Sequence, residues 1–202
     1  MKQFRPTDYI EISPAFVAIL CAYYYFDPAC TFWPFVSALL FHEAGHLLLL
    51  WLLGARVHKL RLTVSGAVIV TEPLSYGQEI AVAAAGPACN LLIFLLNAKT
   101  HPVAAFVNLC LLSYNLLPFY PMDGGRILRA LLRLLLPERA ALWTERGIGI
   151  GCGVLLLAGA CYLTCVWRAG LWPVLIFALL MVRVAGTVLP EQSFLPVVYV
   201  LK

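Results

Sequence analysis

Two histidines and a glutamate within five residues, His42-Glu43-Ala44-Gly45-His46, carry the strongest chemical signal in this 202-residue chain. On a helix, residues four apart share a face, so both imidazoles can reach one metal ion. Glu43 lies beside them, placed to take a proton from water at that metal, as zinc hydrolysis requires. The blander reading is a pair of core histidines satisfied by hydrogen bonds. Their setting weighs against it. The run from Trp33 to Leu53 is otherwise apolar, so three ionisable groups sit inside a segment that reads as a membrane span. Such groups are expensive in a bilayer and are functional by default.

A catalytic zinc takes three protein ligands and keeps one position open for water. Of the remaining histidines, His58 falls in a loop region and His101 on the opposite side of the membrane. Asp8 and Asp27 are peripheral. Asp123 follows a long apolar run and stands among Pro118, Pro121, Gly124 and Gly125, all helix breakers. Irregular backbone at membrane depth is tolerated where it packs in protein or lines a water cavity. The other reading of Asp123 is a turn aspartate at the interface.

The elements that must position these residues follow from composition. The chain is 62% hydrophobic and 12% charged, with a mean hydropathy of +0.89. Soluble domains carry about twice that charge, so a cytosolic enzyme, a disordered tail and a disulfide-stapled secreted domain are excluded. Six of the seven cysteines lie in apolar runs, with Cys30 in a loop, which argues against a disulfide framework.

At about 20 apolar residues per span, the sequence predicts six transmembrane helices: Tyr9–Phe26, Trp33–Leu53, Ile80–Asn97, Pro102–Leu117, Gly147–Val166 and Leu171–Leu189. The first is read as a retained span rather than a cleaved signal, because no small-residue cleavage site follows it. Arg56–Thr71 is β-branched and partly alternating, with Ser65-Gly66 at a turn, and predicts a hairpin after the second helix. Arg126, Arg129 and Arg133 predict one basic stripe on a helix, Arg126–Leu136, lying in the membrane interface. The glycines at 147, 149, 151 and 153 suggest close helix packing. The predicted fold is thus an all-α polytopic membrane protein with a small membrane-associated β-hairpin, organised as a single domain over residues 1–202.

With the N-terminus cytoplasmic, eleven Lys and Arg fall in inside segments and two, Lys99 and Arg168, in outside loops. The positive-inside rule then places both termini in the cytoplasm. The net charge of +4 reflects this placement and is no sign of nucleic-acid binding. In that orientation His46 lies about 10 Å from the cytoplasmic end of its helix, so water and substrate enter from that side.

Three ordered motifs, HEAGH at 42–46, GPACN at 86–90 and NLLPFYPMDGG at 115–125, together resemble the site-2 protease family of intramembrane zinc metalloproteases. The resemblance covers residues 33–126. It implies one zinc per chain, held by His42, His46 and Asp123, with Glu43 as general base. It places Asn90 and Asn115 near the active site, where either could hydrogen-bond the substrate backbone or the developing oxyanion. It also implies cleavage of a membrane-spanning or membrane-associated protein near the cytoplasmic face of a bacterial cell membrane, under the control of a regulatory membrane protein. Small size, six spans and no inserted PDZ domain are most similar to the sporulation stage IV FB branch, whose substrate is a sigma-factor precursor. A C-terminal CBS domain, which many members of that branch carry, is not expected within these 202 residues.

A helical substrate must unwind before hydrolysis, and the Arg56–Thr71 hairpin offers either an edge for an extended substrate strand or a structural cover for the cavity. Two other functions compete with proteolysis. One is a metal-ion transporter, which would be expected to repeat its ligands in both halves of the chain. The other is a catalytically idle scaffold, which would have no need of Glu43.

Overall fold

The computed structural model describes residues 10–27, 30–63, 66–120, 122–166 and 199–201. The predicted sixth span and the residues nearest both termini lie outside these. Three helices are long and apolar enough to cross a membrane: α2 (Phe32–Leu52), α3 (Tyr76–Asn97) and α6 (Glu138–Val166). Two further apolar helices, α1 (Pro14–Phe26) and α4 (Pro102–Asn115), have 13 and 14 residues. At 1.5 Å per residue each is about 20 Å long, against roughly 30 Å of hydrocarbon.

The first predicted span is shortened at its start for a physical reason. Ile10–Ile12 forms a strand, β1, and Ser13 N–H continues the pairing by donating to Leu62 O at 2.8 Å. Pro14 then opens the helix at the one position where a missing N–H is harmless. Glu11, inside the predicted first span, bonds Lys59 and Arg61 on the neighbouring strand. Those partners hold its carboxyl below the usual carboxylate range.

The predicted hairpin is present as β2 (Val57–Thr63) and β3 (Gly66–Thr71), antiparallel, with Leu60 opposite Ile69. It is flanked on both sides. β1 pairs parallel to β2, and β4 (Tyr199–Leu201) pairs antiparallel to β3, giving the order β1-β2-β3-β4. Both edges of the hairpin, one of which could have received a substrate strand, are therefore taken by the chain's own strands.

The sheet is fixed to the helices by one apolar cluster of Leu50 on α2, Ile69 and Leu74, and Val82 on α3, packed with Leu47, Val57 and Leu60. A Schellman turn ends α2: Gly54 adopts φ +69° while its N–H and that of Ala55 bond Trp51 O and Leu50 O, each at 3.0 Å. A reciprocal Ser75–Gln78 capping box starts α3.

Helix α3 packs against α2, α4 and α5, so it is the common wall of the interior. Helix α5 (Asp123–Leu135) begins directly after the proline-rich loop and also packs on α6. Phe119 and Met122 of that loop are seated against Leu117, Cys152 and Leu156. In the glycine row of α6, Gly149 and Gly153 are buried, whereas Gly147 and Gly151 face open space.

Two arginines of the predicted stripe on α5 turn toward partners inside the protein. Arg126 is 2% exposed and faces Asp123 and Glu79. Arg129 forms a bidentate pair with Glu145 of α6 and lies 3.7 Å over the Tyr120 ring. Buried carboxylates, invisible to a periodicity argument, turn these arginines inward.

Candidate metal centre

His42 is the eleventh of the 21 residues of α2, the middle of the helix, and His46 lies one turn on. Both are buried, at 3% and 4% exposure. A Gly at position 45 lets α3 approach, since a Cβ there would lie 2.7 Å from Ala85 O. Gly86 of α3 lies against the imidazoles themselves, where a Cβ would stand 2.3 Å from His46 Nε2 and 2.8 Å from His42 Cε1.

Asp123 reaches the same point from α5. Its placement depends on two glycines that follow it. A Cβ at Gly124 would lie 2.2 Å from Leu116 O, and one at Gly125 2.2 Å from the Phe119 carbonyl carbon. The start of α5 is thus pressed against the end of α4 and the proline-rich loop, and only glycine permits it. Asp123 Oδ2 then stands 3.1 Å from His42 Nε2 and 3.3 Å from His46 Nε2, and the two Nε2 atoms are 3.2 Å apart.

The protonation of the rings is set from behind. His46 Nδ1 lies 2.7 Å from Val82 O, and His42 Nδ1 lies 2.5 Å from Asn90 Oδ1. Both partners are carbonyl oxygens and only accept, so each Nδ1 carries the hydrogen and each Nε2 presents a lone pair. The Asn90 amide cannot turn round, because its Nδ2 donates to Ala38 O at 3.2 Å and Asn108 Oδ1 at 2.8 Å. Asn108 Nδ2 in turn donates to Ala104 O.

With both rings neutral, two nitrogen lone pairs and a carboxylate oxygen therefore converge without a proton among them, an arrangement that repels itself unless a cation joins it. Both Asp123 oxygens are buried without a hydrogen-bond partner. Ligands about 2.0–2.2 Å from a tetrahedral zinc stand roughly 3.3–3.5 Å from one another, close to the three separations found. The donor set, two imidazoles and one carboxylate, also suits zinc. Among the described residues this is the one group of three His, Cys, Asp or Glu side chains able to hold a metal ion.

Glu43 is half-buried beside the ligands on α2. The two asparagines read as substrate or oxyanion contacts are both hydrogen-bonded within the protein. Both Nδ2 hydrogens of Asn90 are committed, so it has no donor left for an oxyanion and serves to orient His42. Asn115 donates to Leu111 O, four residues back on α4, and makes no hydrogen bond to the three ligand side chains. The sequence reading missed Asn108, Glu79 and Arg126. A lone amide inside the apolar Pro102–Leu117 run was the available signal for Asn108, since such a group needs a partner.

Residues 98–157 match the family model described as Peptidase family M50. Zinc metalloprotease MJ0392 of Methanocaldococcus jannaschii is 33% identical over 119 residues, covering 50% of this chain and 35% of that protein. Stage IV sporulation protein FB of Bacillus subtilis is 31% identical over 117 residues, covering 50% of this chain and 40% of that protein. The matches thus span well under half the length of these relatives. The solved structure of a site-2 protease from Methanocaldococcus jannaschii superposes with a TM-score of 0.64 at 18% identity, covering 97% of this chain and 98% of the other. At that identity the likeness is one of fold.

Proposed function

We propose that this chain, a relative of peptidase family M50 with the fold of a site-2 protease, is an intramembrane zinc endopeptidase. The observation that carries the reading is the convergence of the buried His42 Nε2, His46 Nε2 and Asp123 Oδ2, with Glu43 alongside in mid-helix. These three side chains would hold the zinc. When bound, zinc polarises a scissile carbonyl and acidifies water in the fourth position.

The residues supply the rest. Asn90 and Val82 O hold the two imidazoles in the ligating tautomer and fix the ring planes. Glu43 takes the proton from the attacking water and returns it to the leaving amine, the general base and then acid of the reaction. The apolar walls of α2 and α3 keep bulk water away, which strengthens each electrostatic contact. His46 lies six residues before the end of α2, about 10 Å along the helix axis. With both termini cytoplasmic, that end faces the cytoplasm and the scissile bond lies near it.

The substrate class is a membrane-spanning or membrane-associated protein with a locally unwound segment. Similarity to stage IV sporulation protein FB supports searching first among sporulation proteins, a sigma-factor precursor included. With both hairpin edges occupied, a substrate strand has to displace β4 or β1 to pair there.

The test is zinc content and cleavage of candidate membrane precursors by detergent-purified protein, wild type against Glu43→Gln. One zinc per chain in both, with cleavage lost only in the variant, is the expected result. Full cleavage by Glu43→Gln refutes the assignment of the base. Zinc flux across vesicles without cleavage would favour a transporter instead.

A further inference from the structure

The two oxygens of Asp123 have different surroundings. Oδ2 faces the histidine nitrogens, while Oδ1 faces Arg126 Nη1 at 3.6 Å, one turn along α5. Arg126 is 2% exposed, and its Nε stands 4.0 Å from Glu79 Oε1 in the first turn of α3. The guanidinium thus lies between a carboxylate on its own helix and one on the helix that walls the site.

A carboxylate can ligate through one oxygen or two. Two-oxygen ligation would fill the position a hydrolytic zinc keeps open for water. A guanidinium beside Oδ1 opposes that, since its fixed fork of donors and full charge hold the oxygen away from the metal. Arg126 also balances charge. Asp123 and Glu79 bring two negative charges to this buried region, and its field reaches Glu43 as well. Neutral replacement leaves the carboxylates uncompensated where water cannot screen them.

Resting on the metalloprotease reading above, we propose that Arg126, seated by Glu79, is a positioning residue that restricts Asp123 to one-oxygen ligation and so keeps the water position open. Arg126 acts through Asp123 and does not touch the reacting atoms.

The experiment uses full-length protein in detergent, with two readouts besides cleavage. Zinc affinity is measured by chelator competition, and coordination number by the visible absorption of the cobalt-substituted protein, which is intense for four ligands and weaker for five. Arg126→Gln is expected to weaken zinc binding about 10–100-fold, as outer-shell replacements do, and to shift the cobalt spectrum toward five-coordination. Arg126→Lys should recover part of both, because it restores the charge without the fork. A structural tie between α3 and α5 would lower thermal stability but leave the cobalt spectrum of the folded fraction unchanged, and that result overturns the proposal. If Arg126→Gln does not fold, Glu79→Gln decides: a smaller shift in the same direction supports the proposal, and an unchanged spectrum overturns it. Wild-type protein without zinc affinity would refute the metalloprotease reading and this inference with it. Normal wild-type binding with an unaltered Arg126→Gln spectrum refutes the inference alone.

Discussion

Replacing Gly86 by alanine adds one methyl group at the point where α3 meets both imidazoles. The new Cβ would stand 2.3 Å from His46 Nε2, 2.6 Å from His46 Cε1 and 2.8 Å from His42 Cε1, where ordinary contact begins at 3.4 Å. To relieve the closest of these, the His46 ring must retreat by about 1 Å, whereas a metal ligand tolerates roughly 0.2 Å. The ring has little freedom to move, because His46 Nδ1 is tied to Val82 O on the same helix as the new methyl. Separating α2 from α3 instead would open the Gly45–Ala85 contact. Overpacking of this kind costs about 1–3 kcal/mol of stability. The larger effect falls on the metal: losing one of three ligands should weaken zinc binding by more than the roughly 100-fold upper range for an outer-shell replacement. The assay is chelator competition on detergent-purified protein. Gly77→Ala, on the same helix with nothing within 4 Å, serves as the control and should bind as wild type. A Gly86→Ala protein that retains wild-type zinc affinity would refute the packing of α3 onto the imidazoles, and with it the described site.

Two other outcomes follow. Asn108→Leu removes the acceptor that holds the Asn90 amide in place, so zinc affinity should fall about tenfold; unchanged affinity would mean that Ala38 O alone fixes Asn90. The Glu11 carboxyl is held down by Lys59 and Arg61. Its contribution to stability is therefore present at neutral pH and is lost as the pH falls through its lowered value, below the ordinary carboxylate range near 4.5. Melting curves from pH 7 to 3 should consequently be flatter for Glu11→Gln than for wild type, and equal slopes would mean that the Glu11 ion pairs add nothing to the stability of the sheet.

The ligand spacing was legible because HExxH constrains geometry locally: one helix turn fixes both imidazoles before any tertiary contact exists. Asp123 was legible from a different kind of signal, an acid among helix breakers at membrane depth. Its route into the site was not, since that depends on Gly124 and Gly125 meeting Leu116 and Phe119, contacts between segments the sequence does not relate. The asparagines show a second limit. A buried amide near a metal is asked for equally by an oxyanion contact and by a histidine that needs an acceptor, and only the hydrogen-bond directions at Asn90 separate the two. The arginines of α5 misled for a third reason: a period of three and four names a face but not what that face meets. The start of α1 was readable after all, in the alternation Ile10-Glu11-Ile12 and the proline at position 14, but the apolar run hid it.

The polar interior explains why the candidate site stands where it does. In an apolar surrounding, each buried polar group must find a partner within the protein. Asn90, Asn108 and the Nδ1 atoms of His42 and His46 all do so, in a chain running from α4 through α3 to α2. Among the described residues, the buried side-chain atoms left without a hydrogen-bond partner are Arg133 Nε and the two oxygens of Asp123. Oδ2 has no donor to turn to, because with neutral rings the two nearest nitrogens present lone pairs, set by the same network that satisfies everything else. The second layer thus concentrates the unmet electrostatic demand at one point, between Oδ2 and the two Nε2 atoms. Removing any member of that layer should do more than loosen a contact. It would let a histidine turn its N–H toward Asp123 and satisfy the carboxylate internally, and the demand for a metal ion would weaken.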